Sequence, residues 1–345
     1  MKKYLILIYL ILLICLSGCF DYKEINSYYY ASSMGLTYNK EEKTYKVTLY
    51  ILNTLHMSND TSTKSDTNSL AYIATYQDKS ILNCLHQIFQ NSDISIDLRH
   101  LRSILMEKNF INSENLKNFF DFIINDVNCY FNFAVYVCND NDLENIYMVN
   151  NFTETSAYNT LLTNANNYSN YKIPYCNDLI NDYYSITENN KYPVVLYKKD
   201  VFNHNDQNYN TIYFGGYCSL DEDNNAVFYT EDQYPAVIFL NNRTNFEISL
   251  IENNLFYNIS TYKIEYLFKD ETFYINIDIN GFCLNSDDGE GKLKEYFIKL
   301  FDELIKITKI NKTDLFNINH YSKIKKSSLD YQTTPIKYQF NIKLL

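Results

Sequence analysis

The sequence predicts an α+β protein, lipid-anchored, with two or three domains of mostly antiparallel β-sheet and helices packed on them. Three observations predict it. A short apolar segment, Tyr4 to Leu16, follows Lys2 and Lys3 and ends in Ser17-Gly18-Cys19. Period-2 stretches come in adjacent runs, most clearly from Phe246 to Phe282, which is the pattern of antiparallel strands with one face buried. Between such runs lie segments with apolar residues at helical spacing, the longest being Leu293, Tyr296, Phe297, Leu300, Phe301, Leu304 and Ile305. At 345 residues the chain has room for more than one domain. The expected division is a signal peptide at 1–18, an N-terminal α+β domain at 19–190, a small middle domain at 191–244 and a C-terminal α+β domain at 245–345.

The first segment has the layout of a lipoprotein signal. Two lysines form a positive n-region, and the apolar stretch matches an h-region while falling short of the roughly 20 residues that cross a bilayer as a helix. Ser17 and Gly18 are small, as a peptidase cleft beside the cut requires. Cys19 would then be the mature N-terminus and the lipidation site, and two acyl chains on its thiol suffice for stable anchoring. Everything behind it is expected to work outside the cytoplasm, next to a membrane.

Taken in order, Ile25–Leu36 and Thr44–Leu52 read as a hairpin joined by the polar turn Asn39-Lys40-Glu41-Glu42. His56–Ser69 is a polar loop, and Leu70–Tyr76 another strand. Ser80–Gln90 places Ile81, Leu82, Leu85, Ile88 and Phe89 on a helical face. Two short strand-like pieces flank Arg99 and His100. Ser113 stands as an N-cap before a helix with Leu116, Phe119, Phe120, Ile123 and Ile124 in its stripe. Phe131–Val137 is an apolar strand, and helices are expected within Asn141–Asn167 and Tyr175–Thr187. Tyr192–Tyr197, Thr211–Cys218 and Pro235–Leu240 read as strands; Gly215-Gly216 marks a bulge or a close backbone approach. Then come Phe246–Ile251, Ser260–Phe268 and Thr272–Phe282, turned at Asp270-Glu271. The helix at Leu293–Ile305 covers them, with Asp287, Asp288 and Glu290 near its N-terminus, and Ile336–Leu344 is the final strand.

Charge and composition exclude several classes. The formal charge is −11, and losing residues 1–18 removes two lysines and no acids, which takes it to −13. Nucleic-acid binding needs a basic footprint that this chain lacks. Six cysteines follow the anchor: Cys84, Cys129, Cys138, Cys176, Cys218 and Cys283. Their wide spacing and apolar neighbours point to buried free thiols rather than a disulfide framework.

The opening of the mature chain carries a family resemblance. Cys19-Phe20-Asp21-Tyr22-Lys23-Glu24-Ile25-Asn26 resembles the start of the C subunit of spore germinant receptors, the GerC-type lipoproteins, with Phe20 where the family usually has Trp. The small step Ala31-Ser32-Ser33-Met34-Gly35 between two strands follows the same pattern, as do His100-Leu101, Phe120-Asp121-Phe122 and Asp126. Val201-Phe202 and Gly216-Tyr217 stand in the places of a middle section. Lys312-Thr313-Asp314-Leu315-Phe316-Asn317 stands where the family tends to show Asp-Ile-Phe-Gly after the helix, and Asn317 tolerates the positive φ that a Gly there would supply. The resemblance implies a non-enzymatic lipoprotein subunit on the outer face of the spore inner membrane, needed for germinant-triggered germination. Its implied partners are an A-type subunit with cytosolic and membrane parts and a B-type, transporter-like membrane subunit. The alternative is a substrate-binding lipoprotein of an importer, which shares the anchor but expects two lobes of parallel sheet. The sequence shows adjacent strand runs rather than a βαβ rhythm.

No constellation for chemistry is found. The five histidines, His56, His86, His100, His204 and His320, are scattered, and neither His-Glu-x-x-His nor Gly-x-Ser-x-Gly occurs. His100 beside Asp97 and Arg99 reads as a structural contact at a strand edge. Asn276, Asp278, Asn280, Gly281 and Asp287 have EF-hand-like spacing. Their alternation with Ile275, Ile277 and Ile279 is that of a strand, which cannot coil them around an ion. No catalytic residue, metal or cofactor is expected.

Overall fold

The computed structural model describes residues 28–52, 71–93, 95–125, 133–149, 191–204, 207–240, 242–250, 254–284, 288–319 and 330–344. Cys19, Cys129, Cys176, the loop His56–Ser69, the segment Tyr175–Thr187 and most of Asn141–Asn167 lie outside the described residues.

The chain opens with the expected hairpin, β1 (Tyr28–Asn39) and β2 (Thr44–Leu52). Asn39 Oδ1 accepts the N–H groups of Glu41 at 3.0 Å and Glu42 at 3.2 Å, and Lys43 closes the turn at φ 53°. β3 (Ala71–Asp78) pairs with β2. Ser80 Oγ accepts the Asn83 N–H at 3.1 Å and so caps α1 (Ile81–Gln90), which buries Ile81, Cys84, Leu85 and Ile88. β4 (Ser95–Asp97) and β5 (Ser103–Glu107) follow, then a 3-10 turn at Lys108–Phe110. α2 (Ser113–Asn125) is capped by Asn112 rather than Ser113, because Asn112 Oδ1 accepts the Asn115 N–H at 2.9 Å. Ser113 already lies inside the helix, and its hydroxyl turns to Asn224 Oδ1. β6 (Ala134–Cys138) and the short α3 (Leu143–Tyr147) complete this part.

β7 (Tyr192–His204), β8 (Gln207–Leu220) and β9 (Ala226–Thr230) form an antiparallel meander. Gly215 is the bulge: Val194 faces Gly216 while Val195 faces Phe214, which leaves Gly215 unmatched. Gly216 has φ +138°, and a Cβ there would stand 2.0 Å from the Tyr229 carbonyl oxygen. The stretch expected as a strand at Pro235–Leu240 is a 3-10 helix at Pro235–Phe239. Proline at its start presets the helical φ and offers no N–H to a ladder. The second sheet is β10 (Arg243–Leu250), β11 (Leu255–Lys269), β12 (Thr272–Leu284) and β13 (Ile336–Leu344), with α4 (Gly289–Ile310) between the last two.

The first sheet has nine strands among the described residues, in the order β3-β2-β1-β5-β6-β7-β8-β9, with β4 on the start of β1. Its arms are antiparallel, but β1, β5, β6 and β7 run parallel. The second sheet has the order β10-β11-β12-β13, antiparallel except for β12 and β13. The reading that a βαβ rhythm is missing is therefore corrected, since β5–α2–β6 and β12–α4–β13 each join parallel neighbours through a helix. The strands of 191–230 extend the N-terminal sheet through β6 and β7 rather than building a sheet of their own.

Two buried layers result. On one face of the first sheet, α1 and α2 cover Val47, Leu49, Ile104, Met106, Val135 and Val137. On the other, α3 covers Tyr50, Leu105 and Tyr136, and this layer runs on through Tyr217, Tyr229 and Phe239 into the core under α4.

Candidate functional site

β5 and β6 are buried at every described position because helices cover both faces of the sheet. α3 comes close to β1 because β1 is small there. A Cβ on Gly35 would stand 2.6 Å from Leu143 Cδ1, and Ser33 Oγ hydrogen-bonds Tyr147 Oη at 2.8 Å. The small step in the sequence is thus the floor on which α3 sits.

This seating shapes a crevice of about 540 Å³ at the carboxyl ends of β1 and β5, lined among others by Thr37, Asn39, Lys46, Glu107, Asn109 and Glu144. Glu107 is the last residue of β5 and is only 5% exposed. Leu143 N–H donates to its Oε1 at 3.4 Å. Burial pushes this carboxyl above its ordinary value and the charge of Asp140 adds to that, against the opposing pull of the nearby Thr37 side chain and the Leu143 and Asn141 backbone. Among the described residues no Lys, Arg or His forms an ion pair with it. Lys46 pairs instead with Glu144 at 2.5 Å. Asn109 holds the rim: its N–H donates to Asp140 Oδ1 at 2.6 Å and its Oδ1 accepts the Tyr38 N–H at 3.3 Å. A smaller crevice of about 320 Å³ shares Lys40 and Asn109 and adds Lys108 and Asp140.

A second groove, of about 550 Å³, lies near the start of β1, between β3 and α1. Tyr29, Tyr72, Tyr76 and Ile88 line it with Gln87 and Asp93, and the rings of Tyr29 and Tyr72 are 5.7 Å apart. No helix of the described residues is long and apolar enough to cross a membrane.

The candidates singled out in the sequence are placed as follows. Asp97 accepts the Arg99 N–H at 2.8 Å and a two-pronged contact from its guanidinium. Burial would raise the Asp97 carboxyl, but the bonds to Arg99 and the charges of Arg99 and His100 hold it below the ordinary value. The His100 ring stands edge-on to Tyr30, with centroids 4.6 Å apart. This is a tied turn between β4 and β5. His86 is exposed on α1, and His204 lies on β7. His56 and His320 are outside the described residues, as is Asp287. Asn276, Asp278 and Asn280 lie on β12, paired on both sides, so they stand along a strand face. No group of three His, Cys, Asp or Glu is placed to hold a metal ion among the described residues. Cys84, Cys138 and Cys218 are buried free thiols, and Cys283 is half-buried and free.

Glu107 and its crevice were not found in the sequence. One partial signal existed: Ile104-Leu105-Met106 and Ala134-Val135-Tyr136-Val137-Cys138 are continuous rather than alternating apolar runs, a pattern frequent in strands covered on both faces, but it names neither the neighbours nor the covering segments. A glutamate closing such a run stands at a strand end under cover.

Residues 21–195 match the family model described as the spore germination protein N-terminal domain. No curated protein matches the chain. A solved structure described as the crystal structure of the GerBC protein is similar over 90% of this chain and 96% of that chain, at 14% identity and a TM-score of 0.42.

Proposed function

The chain belongs to the spore germination protein family, and from that premise we propose that it is the lipoprotein subunit of a spore germinant receptor, held by lipid on Cys19 at the outer face of the spore inner membrane. The observation that carries the reading is the family match, which begins at residue 21, two residues behind Cys19, and covers β1 to β6 and the start of β7. The partners we propose are the A-type and B-type membrane subunits. The protein acts through surfaces and carries out no reaction. Its lipid keeps it in two dimensions beside those partners, which raises their effective concentration, so a modest interface suffices.

Gene deletion tests the reading. It should slow or abolish germination toward one class of germinant and leave vegetative growth and sporulation unchanged. Re-expressed wild type should restore the response, and Cys19→Ala should restore it less well and shift the protein out of the membrane fraction. Mass spectrometry should find a diacylglyceryl group on Cys19 as the mature N-terminus. A deletion that blocked uptake of a nutrient in growing cells, with germination intact, would transfer the chain to the importer reading.

A further inference from the structure

We infer that the crevice at the carboxyl ends of β1 and β5 binds a small polar molecule carrying a protonated amine, with Glu107 as its counter-ion. The inference goes beyond the receptor reading and stands without it.

Position is the first argument. In open α/β sheets, ligands bind in the crevice outside the carboxyl ends of the strands, at the point where the strand order reverses. The order reverses here between the parallel neighbours β1 and β5: β1 leads outward to β2 and β3, β5 leads the other way through α2 to β6, and α3 packs beside their ends. The crevice volume of about 540 Å³ lies within the range of small-molecule sites.

Charge is the second. Among the described residues, the charged groups at the crevice or its back wall are Lys40, Glu41, Lys46, Glu107, Asp140 and Glu144, with the Tyr38 hydroxyl on the lining and the buried Cys138 thiol behind Glu107. Lys46 and Glu144 neutralise each other, and Lys40 and Glu41 are exposed on the β1–β2 turn. Among the described residues Glu107 is left as a buried carboxyl without a cation, and a buried charge is expensive unless it is paired. An ammonium group supplies the missing partner. The amide groups of Asn39, Asn109 and Asn141 and the Thr37 hydroxyl offer hydrogen bonds to the rest of a polar ligand. The raised carboxyl of Glu107 agrees with a group that lacks a cation at rest.

The competing role for Glu107 is a cap for the loop at Asn141–Leu143, and the experiment separates the two. The purified full chain is titrated by calorimetry with n-butylamine, glycinamide and glycine as amine probes, and with acetate and acetamide as controls. At least one amine probe should bind in about the millimolar range or tighter, and the controls should not. Glu107→Gln keeps the shape and an acceptor for the loop, and should weaken amine binding about tenfold or more at an unchanged or higher Tm. In the wild type, amine affinity should rise with pH across the titration of Glu107, because the ammonium needs the ionised carboxylate. Hydrogen exchange on the wild type is the second measurement: bound amine should slow the amides of Asn109 and Leu143 and leave the β3–α1 groove unchanged. The inference is overturned if no amine binds at about ten millimolar. It is also overturned if Glu107→Gln binds amines as well as wild type, or if the protected amides lie elsewhere.

Discussion

Asn317 sits at φ 56° with its side-chain oxygen buried and, among the described residues, without a hydrogen-bond partner. The residues around it explain the short motif that ends there. Asp314 accepts the N–H groups of Ile318 and Asn319, each at 2.7 Å, so it fixes the turn that Asn317 completes. Leu315 and Phe316 are buried in the core under α4. The left-handed conformation followed from the resemblance, in which Asn317 takes the place of a Gly, and Asn is among the few residues that adopt it at low cost. Asn317→Gly should therefore leave the urea midpoint unchanged or raise it, since it also removes an orphaned oxygen. Asn317→Val should cost about 1–2 kcal/mol from backbone strain alone. Equal midpoints for the two variants would show that the turn relaxes. Thiols give a second residue-scale prediction. Burial pushes Cys84 up to about 11 and raises Cys138 and Cys218 further. Native alkylation should then label Cys283 first among the four described cysteines, while the other three react only after unfolding. Early labelling of Cys218 would mean that β8 opens locally.

α4 shows what a local period reveals and what it leaves open. Its amphipathic stripe identified the helix, but the stripe is wide and its centre falls elsewhere than Leu300. Leu293, Phe297, Phe301 and Leu304 are fully buried, while Leu300 is half-buried at the margin. Phe297 sits among rings: it is 5.0 Å from Phe239 and 5.5 Å from Tyr262. Phe297→Ala should cost about 3–5 kcal/mol and Leu300→Ala clearly less, read as shifts in the urea midpoint. The opposite ranking would place the buried line one residue further round. Hairpins were equally legible, because alternation and turn residues are local: β1 and β2, β11 and β12, and the positive-φ turn Asp270-Glu271 all lie where the pattern put them. Three features were not legible, for one physical reason. The parallel pairing of β1, β5 and β6, the helical turn at Pro235–Phe239 and the crevice at Glu107 depend on which distant segment covers a residue, and a local period does not encode that. Five apolar residues such as Ala134–Cys138 suit a strand in any sheet; α3 and α2 decide that both faces are buried.

At the scale of the whole molecule, the two sheets are joined by one seam. The 3-10 helix Pro235–Phe239 leaves β9 and enters the core under α4, where Phe239 meets Phe246 at 5.7 Å, Tyr262 at 5.6 Å and Phe297 at 5.0 Å. The Tyr262 hydroxyl donates to the Phe239 carbonyl at 3.0 Å. From the first sheet, the Tyr229 hydroxyl bonds Thr313 Oγ1 beyond the end of α4, and Glu222 takes Lys312 at 3.2 Å and Gln332 Nε2 at 3.0 Å. The ion pair is exposed and contributes little. The aromatic contacts and the buried Tyr229–Thr313 bond therefore carry the joint. Phe239→Ala in the full chain should cost about 3–5 kcal/mol. That is a large fraction of a total stability of roughly 5–15 kcal/mol, so it should register in both sheets if they unfold together. Native-state hydrogen exchange reads this directly. Amides of β11 and β12 should lose protection, and so should those of β8 and β9, which reach Phe239 through the shared core. Loss confined to β10–β13, with β8 and β9 as protected as in wild type, would mean that the seam positions the two sheets without coupling their stability.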